Sequence, residues 1–173
     1  VDPFSGSKDL QAKIIRAVGN PSERFTEDAL RMIRAIRFAT QLGFTIEAST
    51  LQAIKLQAQT LVEISWERIR DELFKILASP LPAEGISLLD SQSLLPHILP
   101  ELIPAKGIPQ GGHHIHDVWN HSLESLRHCP SSDSLVRLAT LLHDVGKPQT
   151  LRHQGPRGVT FYGHEVIGAK IVS

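Results

Sequence analysis

The chain holds a single cysteine, Cys129, among its 173 residues, which excludes an internal disulfide and suits a reducing compartment. No apolar run approaches the ~20 residues that span a bilayer, and no signal-peptide pattern is visible. A cytoplasmic protein without a membrane partner is expected. Neither sign of charge is in excess. Eighteen Lys and Arg balance eighteen Asp and Glu, so there is no general electrostatic footprint for nucleic acid, and any RNA contact must be local or come from outside this chain. Repeats and low-complexity segments are absent. The chain opens Val1-Asp2-Pro3 without an initiator Met and stops at Ser173 within a helical pattern, so it reads as part of a longer protein. Its length suffices to bury a core, as one large domain or two small ones.

What is present reads as helix throughout, and the expected class is all-α. Lys8 to Val18 places Leu10, Ile14, Ile15 and Val18 on one face, ended by Gly19-Asn20-Pro21. Thr26 suits an N-cap for a helix beginning at Glu27, and Gly43 a stop. Ala48 to Leu61 and Trp66 to Ala78, the latter capped by Ser65, form two further helices. A Pro-rich stretch from Pro80 to Pro109 follows in short turns, and Gly111-Gly112 marks a boundary. The domains expected are a hinge and lead-in helix over 1–25, a helical neck or body over 26–110, and a further helical domain, cut short, over 111–173.

Within the neck, Asp28, Arg31, Arg34 and Arg37 recur at steps of three. Three residues advance an α-helix by about 300° and ~4.5 Å, so on one helix they form a slanting ridge. Every cation is Arg, whose planar fork suits base edges and phosphates, and Asp beside Arg offers acceptor and donor together. The same spacing also serves a purely local purpose. Glu27 and Asp28 favour a helix N-terminus, and Arg31 is placed to pair back to Glu27.

The stretch from Val1 to Phe44 carries Asp2-Pro3-Phe4-Ser5-Gly6, then Arg24-Phe25 and Glu27-Asp28-Ala29-Leu30-Arg31, then Arg34-Ala35-Ile36-Arg37-Phe38. It resembles the bacterial class II tRNA nucleotidyltransferases, the CCA-adding enzymes and their poly(A) polymerase relatives. The resemblance implies a transferase whose Asp28 and Arg31 read the edge of incoming CTP or ATP, with Arg34 and Arg37 on the same ridge toward the nucleotide. Glu67-Arg68-Ile69-Arg70 resembles the next neck helix, though its charges also suit a solvated face. Ser5 departs from the family's first Gly. The family's catalytic head, with its Gly-Gly pair, Asp-x-Asp and Arg-Arg-Asp elements, has no counterpart here. The Mg2+ ions of nucleotidyl transfer would be bound by that head, and this chain alone is expected to be inactive in transfer. The implied partners are tRNA, CTP and ATP. Whether the parent adds CCA, CC, A or poly(A) is left open, as is the oligomeric state.

Eight of the nine histidines lie beyond Gly112. Leu138-Ala139-Thr140-Leu141-Leu142 runs into His143-Asp144, then Val145-Gly146-Lys147. A neutral nitrogen beside a hard oxygen suits a hydrolytic transition-metal site where both side chains turn inward. His121 lies upstream on an amphipathic helix that Asp117 helps start, and His164 lies downstream. From about Asp117 to Ala169 the chain resembles the HD superfamily of metal-dependent phosphohydrolases, in the form fused to these nucleotidyltransferases. That resemblance implies a divalent transition metal on His121, His143 and Asp144, with His164 as an extra ligand, the last family Asp lying beyond this chain, and Lys147 contacting phosphate. An alternative function follows, hydrolysis of 2′,3′-cyclic phosphates or nucleotides. His113, His114 and His116 are read as solvent-facing.

Overall fold

The computed structural model describes residues 2–110, 115–153, 155 and 158–173. Its chain is mostly helical and divides into two compact units, Val1–Ile98 and Leu99–Ser173. No described helix is long and apolar enough to cross a membrane.

The first unit contains α1 (Gly6–Ala12), α2 (Pro21–Glu27), α3 (Leu30–Leu42), α4 (Ala48–Gln57), α5 (Trp66–Leu77) and α6 (Pro82–Ser91). Helix α3 is its centre, packed mainly on α5 and α6, while α2 packs on α4. Leu30, Met32, Ile33, Ala35, Ile36 and Ala39 are all buried, which leaves Arg31 and Arg34 a narrow outward strip. Gly85 lets α6 close in. A Cβ there would lie 2.4 Å from Ile76 Cγ2 and 3.0 Å from Thr40 Cγ2. Gly43 ends α3 in the left-handed region at φ 65°, as its sequence position predicts.

Four local outcomes differ from the sequence reading. Within the Pro-rich stretch, expected to run in short turns, the ten residues of α6 form a full helix, because Pro82 sits in its first turn, where a missing N–H costs nothing. The lead-in helix stops at Ala12, because Lys13 turns into the left-handed region at φ 56°. The β-branched pair Ile14–Ile15 then forms a short strand, β1, parallel to β2 (Thr45–Ile46). Asn20-Pro21 opens a helix rather than closing one. Asn20 accepts from the Ser22 N–H at 3.0 Å, and Pro21 takes the first helical position, where its missing N–H costs nothing. Thr26 and Glu27 therefore belong to α2. The chain breaks at Asp28, whose extended backbone (φ −156°, ψ 102°) is held by its own carboxylate accepting from Leu30 N–H at 3.1 Å. Ser5, which stands where the resembled family has Gly, sits in the left-handed region at φ 57°.

Helix α4 runs to Gln57 and tightens into a 3₁₀ segment, Ala58–Glu63. Its N-cap is Glu47, whose Oε2 accepts from Thr50 N–H at 2.8 Å. Ser65 takes the N-cap position of α5 as expected, but its side chain makes no capping hydrogen bond; that helix buries Ile69, Leu73, Ile76 and Leu77.

The second unit begins with a 3₁₀ segment, Pro100–Ala105, followed by α7 (Val118–Arg127), α8 (Ser134–Leu142), the single turn α9 (Lys147–Thr150) and α10 (His164–Ile171). Between α9 and α10 lies a two-residue antiparallel pair, β3 (Arg152–His153) with β4 (Val159–Thr160). Asp117 starts α7. Its Oδ1 accepts from Asn120 N–H and its Oδ2 from Gly107 N–H, each at 2.7 Å. Asp133 caps α8 in the same way, accepting from Leu135 and Val136. Helix α10 lies very close to the turn after α8. A Cβ on Gly146 would fall 2.1 Å from the His164 carbonyl oxygen and 2.6 Å from Gly168 N. Gly146 is thus required by close approach of two backbones.

Candidate functional site

In the first unit, each residue of the arginine ridge has its own setting. Asp28 lies in the break between α2 and α3, where Oδ1 caps Leu30 and Oδ2 receives Arg68 Nη2 of α5 at 2.9 Å. Arg31 pairs with Glu27 Oε2 at 2.5 Å and donates to the Arg24 carbonyl at 3.1 Å. Arg24 itself pairs with Glu27 at 2.9 Å, and the two arginines hold the Glu27 carboxyl below its usual range. Arg34 is exposed, on the wall of a cavity described below, and forms no ion pair among the described residues. Arg37 turns the other way. It is mostly buried, 3.2 Å from Glu72 Oε2 of α5, with its guanidinium 4.1 Å from the Phe38 ring centroid. Its Nε is buried without an acceptor among the described residues.

A cavity of about 420 Å³ is lined by Arg16, Arg24, Arg31, Arg34, Phe25 and Phe38. Asp28 faces another, of about 430 Å³, with Thr60, Glu63 and Arg68. The four ridge residues therefore do not line one common pocket. Arg31 and Arg34 share a basic one, Asp28 faces its neighbour, and Arg37 is committed to α5. Arg68, Arg16 and Arg24 join these settings through ion pairs that span forty, seven and three residues. The last two are close enough in sequence to be sought as local pairs; the sequence singles out Arg68 with its helix, but nothing local marks Asp28 as its partner.

In the second unit, three elements bring histidines to one carboxylate. His121 comes from the middle of α7, His143 from the C-terminal cap of α8, and His164 from the start of α10. Asp144 is almost fully buried, 3% exposed, and its two oxygens face different partners. Oδ2 lies 3.0 Å from His143 Nε2, 3.5 Å from His121 Nε2 and 2.7 Å from Lys147 Nζ. Oδ1 lies 3.5 Å from His164 Nε2. Donor atoms of His121, His143 and Asp144 all fall within 4.8 Å of one another. His164 stands outside that trio, on the far oxygen.

Two of the rings are fixed from behind. His143 Nδ1 bonds the Thr140 carbonyl at 2.8 Å, and His164 Nδ1 bonds the Phe161 carbonyl at 2.9 Å. Each backbone acceptor selects the proton on Nδ1 and so turns Nε2 toward Asp144, the arrangement that a metal-binding imidazole requires. His143 is held above its ordinary pKa by its hydrogen bond to Asp144, against the opposing effect of burial. Burial pushes the Asp144 carboxyl up, but hydrogen bonds from His143 and Lys147 outweigh it and hold it at about 2. The carboxylate is therefore ionised at neutral pH, as a ligand must be. Two or three imidazole nitrogens with one carboxylate suit a divalent transition metal.

Lys147 is pinned on its other side by Gln110, whose Oε1 accepts from Nζ at 2.6 Å. Gln110 carried no signal in the sequence, since 37 residues separate the pair. His116 is exposed, while His113 and His114, like the Gly111-Gly112 boundary, lie outside the described residues.

Two family models match the chain. Residues 43–106 match the probable RNA- and SrmB-binding site of polymerase A, and residues 112–173 match the HD domain. An A-adding tRNA nucleotidyltransferase of Deinococcus radiodurans is 43% identical over 183 aligned residues, covering 100% of this chain and 42% of that protein. A CC-adding tRNA nucleotidyltransferase of Thermus thermophilus is 37% identical, covering 95% of this chain and 40% of its own length. Among solved structures, the CCA-adding enzyme of Bacillus stearothermophilus in complex with CTP is 42% identical over 58% of this chain and 26% of that one, with a TM-score of 0.55. The chain spans about two fifths of the length of the curated relatives it matches.

Proposed function

We propose, from the premise that this chain is homologous along its length to tRNA nucleotidyltransferases, that it supplies the nucleotide-selecting neck and an HD portion of an enzyme adding C, A or both to the 3′ end of tRNA. The observation that carries this reading is the bracing of Asp28 and Arg31. Each is oriented by a partner, Arg68 for the carboxylate and Glu27 for the guanidinium. Neither is used up. A carboxylate has about four acceptor sites and a guanidinium five donors, so both retain capacity for a base edge. Preorganisation of this kind lowers the ordering cost of recognition. Arg34 and Arg31, on the wall of the basic cavity, are the groups available to the nucleotide's anionic part. Arg37, held by Glu72, acts in this reading by fixing α3 on α5.

Transfer itself belongs to a head outside this chain, where Mg2+ would assist in-line attack on the α-phosphate. The matched relatives carry A-adding and CC-adding names over this same region. The test supplies the protein containing this chain and its head with CTP, ATP and tRNA transcripts trimmed to different 3′ ends. Addition of C and then A, or of either alone, supports the reading and fixes the specificity. No addition from any end overturns it.

A second reading rests on the His121, His143 and Asp144 cluster with its braced rings. These residues, with His164, would hold a divalent transition metal, which supplies a water of lowered pKa and polarises a phosphoryl oxygen. Lys147 neutralises phosphate charge beside it. Hydrolysis of a 2′,3′-cyclic phosphate that is lost on His143→Ala supports this activity, and turnover unchanged in that variant excludes it. In this reading the protein acts in the cytoplasm; among the described residues no helix is long and apolar enough to cross a membrane.

A further inference from the structure

Lys147 is the one cation among the described residues placed against the carboxylate of the HD cluster, and it is only 14% exposed. Its ammonium has three donors. One meets Asp144 Oδ2 at 2.7 Å, one meets Gln110 Oε1 at 2.6 Å, and the Phe161 ring centroid lies 5.4 Å away on a further side. The oxygen it occupies is also the one that faces His143 and His121. A divalent ion seated on that trio therefore meets a positive charge already bonded to its own carboxylate oxygen.

Gln110 offers the way out of that conflict. Its side chain is buried, 7% exposed, and its Oε1 is a neutral acceptor on the face of Lys147 that Asp144 does not reach. Its Nε2 points to the carbonyls of His116 and Asp117 at 3.4 and 3.5 Å, and Pro109 bridges Asp117. The carboxamide is thus tied to the segment that launches the His121 helix. An ammonium receives no hydrogen bond from an amide N–H, so the oxygen must face Lys147 and the orientation is determined.

We propose that Gln110 is a positioning residue of the His/Asp centre: it gives Lys147 a second seat, so that the ammonium yields Asp144 Oδ2 to a divalent cation without losing its hydrogen bond. This rests on the reading of the cluster as a metal centre. A buried ammonium with no alternative acceptor stays on the carboxylate, because leaving it unpaired is costly. Removing the seat therefore weakens cation binding, and strengthening it does the reverse. Partners that orient metal ligands in this indirect way typically change affinity by about 10–100-fold when lost.

The test is calorimetric titration of the chain with Mn2+, with thermal melting of each metal-free variant alongside. Gln110→Ala is expected to weaken Mn2+ binding about tenfold. Gln110→Glu, whose charge draws Lys147 further away, is expected to bind at least as tightly as the native chain. Lys147→Met is expected to bind more tightly, and Gln110→Ala added to it should change nothing more, because the seat then has no occupant. Equal weakening by Ala and Glu, or an undiminished effect of Gln110→Ala in the Lys147→Met background, overturns the proposal and makes Gln110 a packing residue. Loss of Mn2+ binding on His143→Ala shows that the cluster itself is the site. A native chain that binds no Mn2+ overturns the metal reading and this proposal together.

Discussion

Asp28 and Arg68 lie forty residues apart and meet at 2.9 Å across the break between α2 and α3. Arg68 sits in the first turn of α5, so the pair ties the start of α3 to the helix on which it packs. With side chains 24% and 50% exposed, the pair contributes at most about 1 kcal/mol to stability. Its value is orientation of the carboxylate. In the intact enzyme, Asp28→Ala is expected to reduce discrimination of CTP and ATP from other nucleotides by about 1–3 kcal/mol, the usual worth of a base-reading pair. Arg68→Ala should lower discrimination less and leave the melting temperature nearly unchanged. Competition between nucleotides in primer extension measures both, and full selectivity in Asp28→Ala would reduce that residue to a helix-end charge.

Arg37 and Glu72 form the opposite kind of pair, 12% and 7% exposed. Glu72→Ala leaves Arg37 buried without its partner and is expected to destabilise the first unit by about 3–5 kcal/mol. Replacing both, as Arg37→Met with Glu72→Leu, should cost far less, since the charge is then removed rather than stranded. Urea unfolding of the single and double variants separates the two outcomes. A small loss in Glu72→Ala would mean that Lys75, 3.0 Å from Glu72, is the pair that matters.

Glu47 makes stability depend on acid. Hydrogen bonds from Ser49, then from the Thr50 backbone, hold its carboxyl at about 2 against an ordinary 4.5. A carboxyl with a lowered folded pKa contributes stability that is complete above its unfolded pKa and is lost as pH falls through the folded one. The melting temperature should therefore fall between about pH 4.5 and 2, partly through this N-cap. Glu47→Gln should melt lower than the native chain at neutral pH, with the gap closing across that window. A gap independent of pH would mean that the amide caps α4 as well as the carboxylate does.

Gly146 and Gly168 face each other, but their demands are unequal. A Cβ on Gly146 would strike backbone at 2.1 and 2.6 Å, whereas one on Gly168 would meet its nearest neighbour at 3.5 Å. Gly146→Ala is expected to push α10 away, displace His164 from Asp144 and cost about 1–3 kcal/mol. Gly168→Ala should be tolerated. Thermal melts of the two variants check this asymmetry, and equal effects would contradict the close approach.

Much of the local structure was legible in the chain because it rests on contacts a few residues apart. Asp117 before the His121 helix, Gly43 after Leu42 and the apolar face of Trp66–Leu77 all follow from spacing. The local alternative for Arg31 was legible too, and its pairing back to Glu27 is present. The break at Asp28 was not, because a helical period continues across it and only the side chain's own bond to Leu30 interrupts it. The strand at Ile14–Ile15 was missed for a related reason, since its partner is Thr45–Ile46, some thirty residues on.

The histidines and Asp144 were recognisable by type and order, and the sequence alone determined which residues had the chemistry for a metal centre. Only the tertiary structure decided their arrangement: His121 and His143 toward one oxygen of Asp144, His164 toward the other, Lys147 between Asp144 and Gln110. It also separated the four ridge residues, committing Arg37 to Glu72 and Asp28 to Arg68. Helical period and capping act within a turn or two, so they can be read along the chain. Which distant carboxylate or amide meets a given cation is settled by how helices pack, and no local pattern encodes it.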